Sequence, residues 1–345
     1  MNAPSDPPFR VLELIAPGTA VREGLDRIVQ GRTGALITLG SGPALDALIT
    51  GGFTIDVPFS AAALRELAKM DGAIVLNEAL DRILHAGVQL TPDAAVASDE
   101  IGTRHRTADR VARQTGVPTV TVSSSMATIS LFVEGSRWLV HRPEQLLARA
   151  NQALATLARY RDRLGEAAAR LSSAEVADTV TVRDVALIGQ RIEMVRRLRH
   201  EVRGYVIELG TEGRLLRLQV QELVSGLDEL ADRVEHDYRS DTCPLRLGGL
   251  AAVDTPDLAD PTLIAQACGL GDEITRTLRP LGHRQLAEIV GLPSGVAGAL
   301  VARFGDLQGL LGATTADLLS VDGVDYPIAR TVREGLIRLA ESAYS

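Results

Sequence analysis

The sequence predicts an α/β N-terminal domain with a mixed β-sheet flanked by helices, then an all-α helical spacer, then a small C-terminal domain of short helices. Three observations carry that division. Up to about residue 146, short apolar runs alternate with helical spacings. Leucine and arginine then recur at three- and four-residue intervals, with no proline between Glu144 and Val234. From about Leu281, brief helical patterns are joined by glycine-containing turns. We therefore divide the chain into 1–146, 147–280 and 281–345; its 345 residues suit two or three domains.

In the first segment Val11–Ile15 precedes a Pro-Gly break. Thr19–Gln30 carries Val21, Leu25, Ile28 and Val29 at helical spacing. Gly34–Leu39 is a short apolar run and reads as a buried strand. Ser60–Met70 reads as a helix, Asp71-Gly72 breaks it, and Ala73–Leu76 resumes as a strand. Ile83–Gln89 leaves helix and strand both open, and Leu90-Thr91-Pro92-Asp93 ends it in a turn. Thr107–Thr115 reads as a helix closed by Gly116. Val117–Val122, Thr128–Val133 and Arg137–Val140 are β-rich, the last two forming a hairpin about Glu134-Gly135-Ser136. Trp138 sits in an apolar strand and reads as a core residue.

The spacer shows three apolar stripes: Leu146, Leu147, Ala150, Leu154, Leu157; then Ile188, Ile192, Val195, Leu198; then Leu215, Leu218, Leu223, Leu227, Leu230. They predict long helices interrupted at Leu171-Ser172-Ser173 and around Gly210–Gly213, forming an antiparallel helical spacer or an oligomerisation bundle. Its charges read as a solvated face with i,i+4 pairs such as Glu193 with Arg197. Asp241–Asp260 is rich in proline and glycine and reads as a linker. Beyond it, Leu286–Val290 leads through Gly291-Leu292-Pro293 into Val296–Phe304, and Ala316–Val321 leads through Asp322-Gly323-Val324-Asp325 into Pro327–Leu339. This repeat resembles tandem helix-hairpin-helix modules, whose glycine turns let backbone N–H groups approach a DNA phosphate.

Composition excludes several classes. Net charge is −8, so any nucleic-acid contact must come from a local patch. Aromatic residues are only 3%, which leaves the core to Leu, Val, Ile and Ala. Cys243 and Cys268 are too few for a disulfide framework or zinc site and read as reduced thiols. Met1–Arg10 lacks the apolar core of a signal peptide, and no apolar run reaches the ~18 residues of a membrane span. The expectation is a soluble, cytoplasmic protein with no membrane partner. His85, His141, His200, His236 and His283 are scattered without ligand spacing. Ser123–Ser125 lacks the surroundings of a nucleophile elbow.

One stretch concentrates chemistry. In Gly102-Thr103-Arg104-His105-Arg106-Thr107 two arginines flank a histidine, at the front of the expected helix. Free N–H groups at a helix N-terminus favour an anion, arginine forks match phosphate oxygens, and threonine hydroxyls add neutral donors. The reading is a polyphosphate cradle; the alternative is a solvated basic turn.

Three segments decide between them: Asp71-Gly72-Ala73 at a strand start, Gly87–Asp93, and Gly102–Arg110. In this order, followed by a helical spacer and a hairpin module, they resemble the diadenylate cyclase family. The resemblance covers essentially the whole chain. It implies condensation of two ATP into cyclic di-AMP with release of two pyrophosphates, by domains that face each other with one ATP each. It implies that Asp71 binds Mg²⁺ or Mn²⁺ and helps activate the 3′-hydroxyl, and that Gly72 admits backbone to the nucleotide. Leu90 would meet adenine through backbone groups. Thr103, Arg104, His105, Arg106 and Thr107 would hold the triphosphate, with Arg104, His105 and Arg106 stabilising the departing pyrophosphate, and Ser123 would serve the nucleotide. A homo-oligomer, octameric or dimeric, and branched DNA are the implied partners. Two features depart from the pattern. Ser124-Ser125-Met126 supplies no basic residue after Ser123, and Asp325 stands where glycine is expected in the second hairpin, where its carboxylate would repel a phosphate. The segment 281–345 holds five arginines against seven acidic residues, which weakens the case for DNA. The competing reading is a DNA-junction-binding scaffold that senses ATP without turnover.

Overall fold

Val21, Leu25 and Ile28 bury one face of a helix because three- and four-residue spacing stacks them on one side. That logic builds the first part of the chain in this computed structural model, which describes residues 7–239 and 244–343. Met1–Asp6, Ser240–Cys243, Tyr344 and Ser345 lie outside the described residues, and with them the Cys243 reading and the outer parts of the Met1–Arg10 and Asp241–Asp260 readings.

The elements run in order from α1 (Pro7–Leu14) and α2 (Ala20–Gln30) to β1 (Ala35–Leu39), α3 (Pro43–Asp46), β2 (Ile49–Thr50) and β3 (Phe53–Pro58). Then come α4 (Ala61–Leu67), β4 (Ala73–Leu76), β5 (Arg82–Leu90), α5 (Thr103–Thr115), β6 (Thr119–Ser123), β7 (Thr128–Val133) and β8 (Ser136–Val140). Val11–Ile15 therefore belongs mostly to a helix, and the open segment Ile83–Gln89 is strand. Thr19 and Ser60 cap α2 and α4 by accepting from Arg22 and Ala63 backbone N–H.

The eight strands form one mixed sheet in the order β2-β5-β4-β1-β6-β7-β8, with β3 also paired to β5. Only β1 and β4 run parallel. Every residue of β1 and β4 is buried because each strand feeds two cores. Ala35, Ile37, Leu39, Ile74 and Leu76 pack with Leu25, Ile28 and Leu64 of α2 and α4. Leu36, Ala73 and Val75 pack with Ala108, Val111 and Ala112 of α5. The alternation of a strand thus yields helices on both faces. The β7–β8 turn places Glu134 at φ 47° and Gly135 at φ 75°, the two left-handed residues of a tight hairpin. Trp138 is not a core residue: β8 is an edge strand, and Trp138 is 37% exposed beside Phe9.

The helical part comprises α6 (Pro143–Val176), α7 (Val182–Leu209), α8 (Arg214–Leu223) and α9 (Leu227–Asp237). A 3-10 turn at Gly210–Gly213 interrupts it as expected. Leu171-Ser172-Ser173 does not: the serine hydroxyls donate to the Ala168 and Ala169 carbonyls four residues back and leave α6 continuous. The third stripe also changes. Leu227 is buried as expected, but Leu215 and Leu218 are exposed and Leu216, Val220, Ala231 and Val234 are buried instead, with Gly226 at φ 71° resetting the phase between α8 and α9. Glu193 and Arg197 pair at 2.8 Å, but Glu193 is buried. Beyond are α10 (Pro261–Ala267), α11 (His283–Ala287), α12 (Ser294–Phe304), α13 (Leu307–Gly312), α14 (Thr315–Leu319) and α15 (Tyr326–Ala343). Residues α11–α12 and α14–α15 form two helix–turn–helix pairs with their own apolar core. By packing, the chain forms two units, Met1–Gln152 with Glu201–Gln219, and Ala153–His200 with Val220–Ser345. Among the described residues no helix is long and apolar enough to cross a membrane. The buried Cys268 thiol is pushed up to about 12 by burial.

Within the second unit a buried polar node ties three helices. Glu175 of α6 accepts from Tyr238 Oη at 2.6 Å and from Arg284 Nη2 at 2.7 Å. Asp237 accepts from the Gly282 and Arg284 backbone N–H at 2.9 and 2.8 Å and caps α11. Burial pushes Asp237 up to about 6 from the ordinary 3.8, against the pull of those N–H groups. A carboxyl with a raised folded pKa stabilises most below its unfolded value and loses that contribution as pH rises through the folded one. Asp237→Asn should therefore flatten the fall in stability of this unit between about pH 4 and 6, read as hydrogen-exchange protection of α9 and α11 against pH.

Candidate nucleotide site

The helix carrying the cradle starts earlier than its apolar pattern suggests. Gly102 at φ 93° is the N-cap and α5 begins at Thr103, so Thr103–Thr107 form its first turn rather than a lead-in. No side chain caps that turn, and it holds no acidic residue. The first intrahelical bond is Arg106 N–H to Gly102 O at 3.0 Å, which leaves the Thr103, Arg104 and His105 N–H groups facing outward along the axis. Gly116 at φ 72° closes the other end.

Sheet register assembles the remainder. Ile37 pairs Ile74 in the parallel β1–β4 ladder, and Ala35 pairs Val122 in the antiparallel β1–β6 ladder. Continuing both ladders back puts Asp71, Gly34 and Ser123 on one row, at neighbouring strand ends spaced about 4.8 Å apart. Antiparallel pairing of Ala73 with Val88 brings the far end of β5, and so Leu90, to the same edge. Arg104 reaches that row from α5: a Cβ at Gly34 would overlap its guanidinium and lie 3.3 Å from Val122 O.

The nine residues expected from sequence thus gather at one end of the sheet. Asp71 is exposed at the break before β4. Gly72 has φ 109°, and a Cβ there would meet the Gly87 carbonyl carbon at 2.6 Å, so the backbones touch. The Leu90 side chain is buried with Ala108, Val111 and Phe132, which leaves only its backbone to meet a base. Thr103, Arg104 and Arg106 are exposed, and Thr107 is half-buried. Ser123 Oγ lies 3.3 Å from both Ser125 Oγ and Met126 N, inside the turn after β6. His105 is half-buried, with its ring edge-on to Phe132 at 6.1 Å and Nε2 without a partner. Burial lowers its pKa first; Arg137 and Arg104 lower it further, and Glu100 opposes them.

Sequence reasoning missed three residues here. Gly34 reads only as the first residue of a strand, and Glu100 carries no reading at all. Arg137 sits in a hairpin whose proximity to His105 is tertiary. The histidines His236 and His283, scattered in sequence, lie with ring centroids 5.9 Å apart. Among the described residues no group of three or more His, Cys, Asp or Glu could hold a metal ion, so Asp71 is not part of a ready-made cage.

The family model described as DisA bacterial checkpoint controller nucleotide-binding matches residues 22–137, which hold every residue of this site. A second, the DisA bacterial checkpoint controller linker region, matches 140–276. DNA integrity scanning protein DisA of Frankia casuarinae is 50% identical, covering 99% of this chain and 97% of its own. The Beutenbergia cavernae protein of that name is 52% identical over 98% and 97% of the two chains, and that of Kineococcus radiotolerans 49% over 97% and 95%. The chain belongs to the DisA family.

Within the residues matched by that nucleotide-binding model, Gly34 is the seat on which Arg104 rests. Gly34→Ala should displace that guanidinium and weaken binding of an ATP analogue by about tenfold, the scale of one charge-assisted hydrogen bond. Titration calorimetry beside an unchanged circular dichroism spectrum checks this.

Proposed function

We propose that this chain is a diadenylate cyclase that joins two ATP into cyclic di-AMP and releases two pyrophosphates. The observation that carries the proposal is the uncapped, doubly arginine-bearing first turn of α5, whose Arg104 guanidinium lies against Gly34 at the sheet end. Each chain offers one carboxylate and one phosphate cradle, the inventory for one ATP. Two ATP therefore require two copies facing each other, and the chain acts as a homo-oligomer, either a dimer or an octamer built from such pairs.

In each half-reaction the 3′-oxygen of one ATP bonds to the α-phosphorus of the other, the bond to pyrophosphate breaks, and the hydroxyl proton leaves to solvent. Arg104, Arg106 and the free N–H groups of α5 hold the phosphates and offset the charge that builds on the departing pyrophosphate. Thr103 and Thr107 add hydroxyl donors to that turn, and Ser123 adds one from the neighbouring strand end. His105 stands among them half-buried, its pKa lowered first by burial, with Nδ1 toward Gly102. Gly72 and the Leu90 backbone leave room for the base. Asp71 would hold Mg²⁺ or Mn²⁺, which when bound neutralises phosphate charge and acidifies the attacking hydroxyl. One exposed carboxylate fits such an ion, since magnesium commonly binds through one or two carboxylates together with substrate phosphates.

Incubation with ATP and either metal, followed by chromatography of the nucleotides, tests the reading. Asp71→Asn should reduce product by at least about a hundredfold and leave ATP binding within a few-fold of wild type. ATP binding without any product would favour a scaffold that senses ATP.

The two helix–turn–helix pairs support a tandem helix-hairpin-helix module for branched DNA. Gly291 and Gly323 have the positive φ such turns use, 88° and 82°. In the second pair Asp325 Oδ1 accepts from Ile328 N–H at 2.9 Å, so the carboxylate already occupies the start of α15 where a phosphate would sit. Asp325→Gly should tighten binding to branched DNA several-fold and steepen its salt dependence by about one unit of slope, measured by fluorescence anisotropy across a salt series.

A further inference from the structure

Arg137 lies on β8, at the sheet edge, and the chemistry above gives it no part. Its guanidinium is nevertheless tied on three sides. Nη1 donates to Glu100 Oε2 at 2.8 Å, and Nε and Nη2 donate to Ser130 Oγ at 3.3 and 3.1 Å. The guanidinium carbon also lies 5.9 Å from the centroid of Phe132. That ring in turn meets His105 edge-on. On the other side, the Glu100 carbonyl accepts from Arg106 Nε at 3.4 Å. A closed circuit results, from Arg106 through Glu100 to Arg137, and through Phe132 back to His105. Both ends of the circuit are cradle residues.

Glu100 makes the circuit necessary. Its carboxylate is only 17% exposed and stands two residues before the N-cap of α5. A negative charge there, left unpaired, would repel the triphosphate that the turn is built to hold. Arg137 neutralises it and fixes the loop that leads into Gly102. The charged groups that face His105 are Arg104 from its own helix, Glu100 from this loop and Arg137 from β8.

We propose that Arg137 is a positioning residue for the phosphate cradle, acting through Glu100 and His105 and not by contact with the nucleotide. The proposal rests on the nucleotide-site reading given above. It differs from a plain fold-holding role in one respect: removing Glu100 as well should undo much of the damage.

Four variants of the full chain test it: Arg137→Gln, Arg137→Lys, Glu100→Gln, and the Arg137→Gln/Glu100→Gln pair. The readouts are affinity for adenosine 5′-(α,β-methylene)triphosphate by calorimetry and titration of the His105 imidazole by NMR of ¹³C-histidine protein, assigned against His105→Gln. Arg137→Gln should weaken the analogue by about tenfold and move the His105 midpoint upward, since a cation that disfavours protonation is gone. Glu100→Gln should move it downward. Arg137→Lys, which keeps the charge opposite Glu100, should hold both readouts near wild type, and it serves also if the glutamine variant folds poorly. The double variant should bind the analogue within about threefold of wild type. Unchanged affinity and midpoint in Arg137→Gln would overturn the proposal, as would a double variant no better than Arg137→Gln alone. A wild-type protein that binds the analogue but yields no cyclic dinucleotide from ATP would overturn the cyclase reading and leave these binding comparisons intact.

Discussion

The candidate site depends on the absence of side chains where three strands end. β4, β1 and β6 finish side by side, and the row through Asp71, Gly34 and Ser123 works only because Gly34 is bare. A methyl group there would fill the place of the Arg104 guanidinium. Gly72 meets the same constraint one strand over, where its backbone lies against Gly87. Two strand spacings of about 4.8 Å separate the backbones of the β4 and β6 ends that carry Asp71 and Ser123. The sheet acts as a ruler, and α5 is set on it through its packing with β1, β6 and β7. The hydrophobic cores on the two faces of β1 and β4 support that ruler from both sides.

How much of this the residues disclose on their own varies with the range of the interaction involved. Asp71-Gly72 reads as a break because its cause is local, and the Gly102–Thr107 cluster reads as an anion cradle because helix ends and arginine forks act over a single turn. The start of α5 was misplaced by four residues because Arg104 and Arg106 do not continue the apolar stripe, although they lie in the helix. β5 stayed open between helix and strand because Gly87, at φ 63°, interrupts the alternation that marks a strand. Ser172 and Ser173 looked like a break because serine is a weak helix former, yet back-bonding to the preceding turn satisfies both hydroxyls. Trp138 is the clearest case of tertiary override: an apolar strand is usually covered on at least one side, but among the described residues β8 has no strand beyond it. Arg137 was invisible as a participant because nothing within several residues of it hints at Glu100 or His105.

Two arginines of this chain show how differently one residue type is used. Arg284 is buried and its hydrogen bonds run to Glu175 and Ser172, as a cation removed from water requires. Arg104 is exposed and rests on bare backbone instead of a carboxylate. The first turn of α5 repeats the contrast, with no cap and no acid. Leaving several donors unpaired at one helix end costs an isolated fold some stability, since the same positions could carry a capping aspartate and an acidic first turn. Asp325 at the head of α15 and Asp237 at the head of α11 show the chain doing so elsewhere. A bare turn is not unique to α5, since α12 also lacks a side-chain cap and an acidic first turn; what sets the turn at Gly102 apart is Arg104 and Arg106 within it, which suit a polyanion. The net charge of −8 does not oppose this, because charges more than about 8 Å from the turn are screened at physiological salt. Glu100 stands two residues before that N-cap, and Arg137 holds its carboxylate.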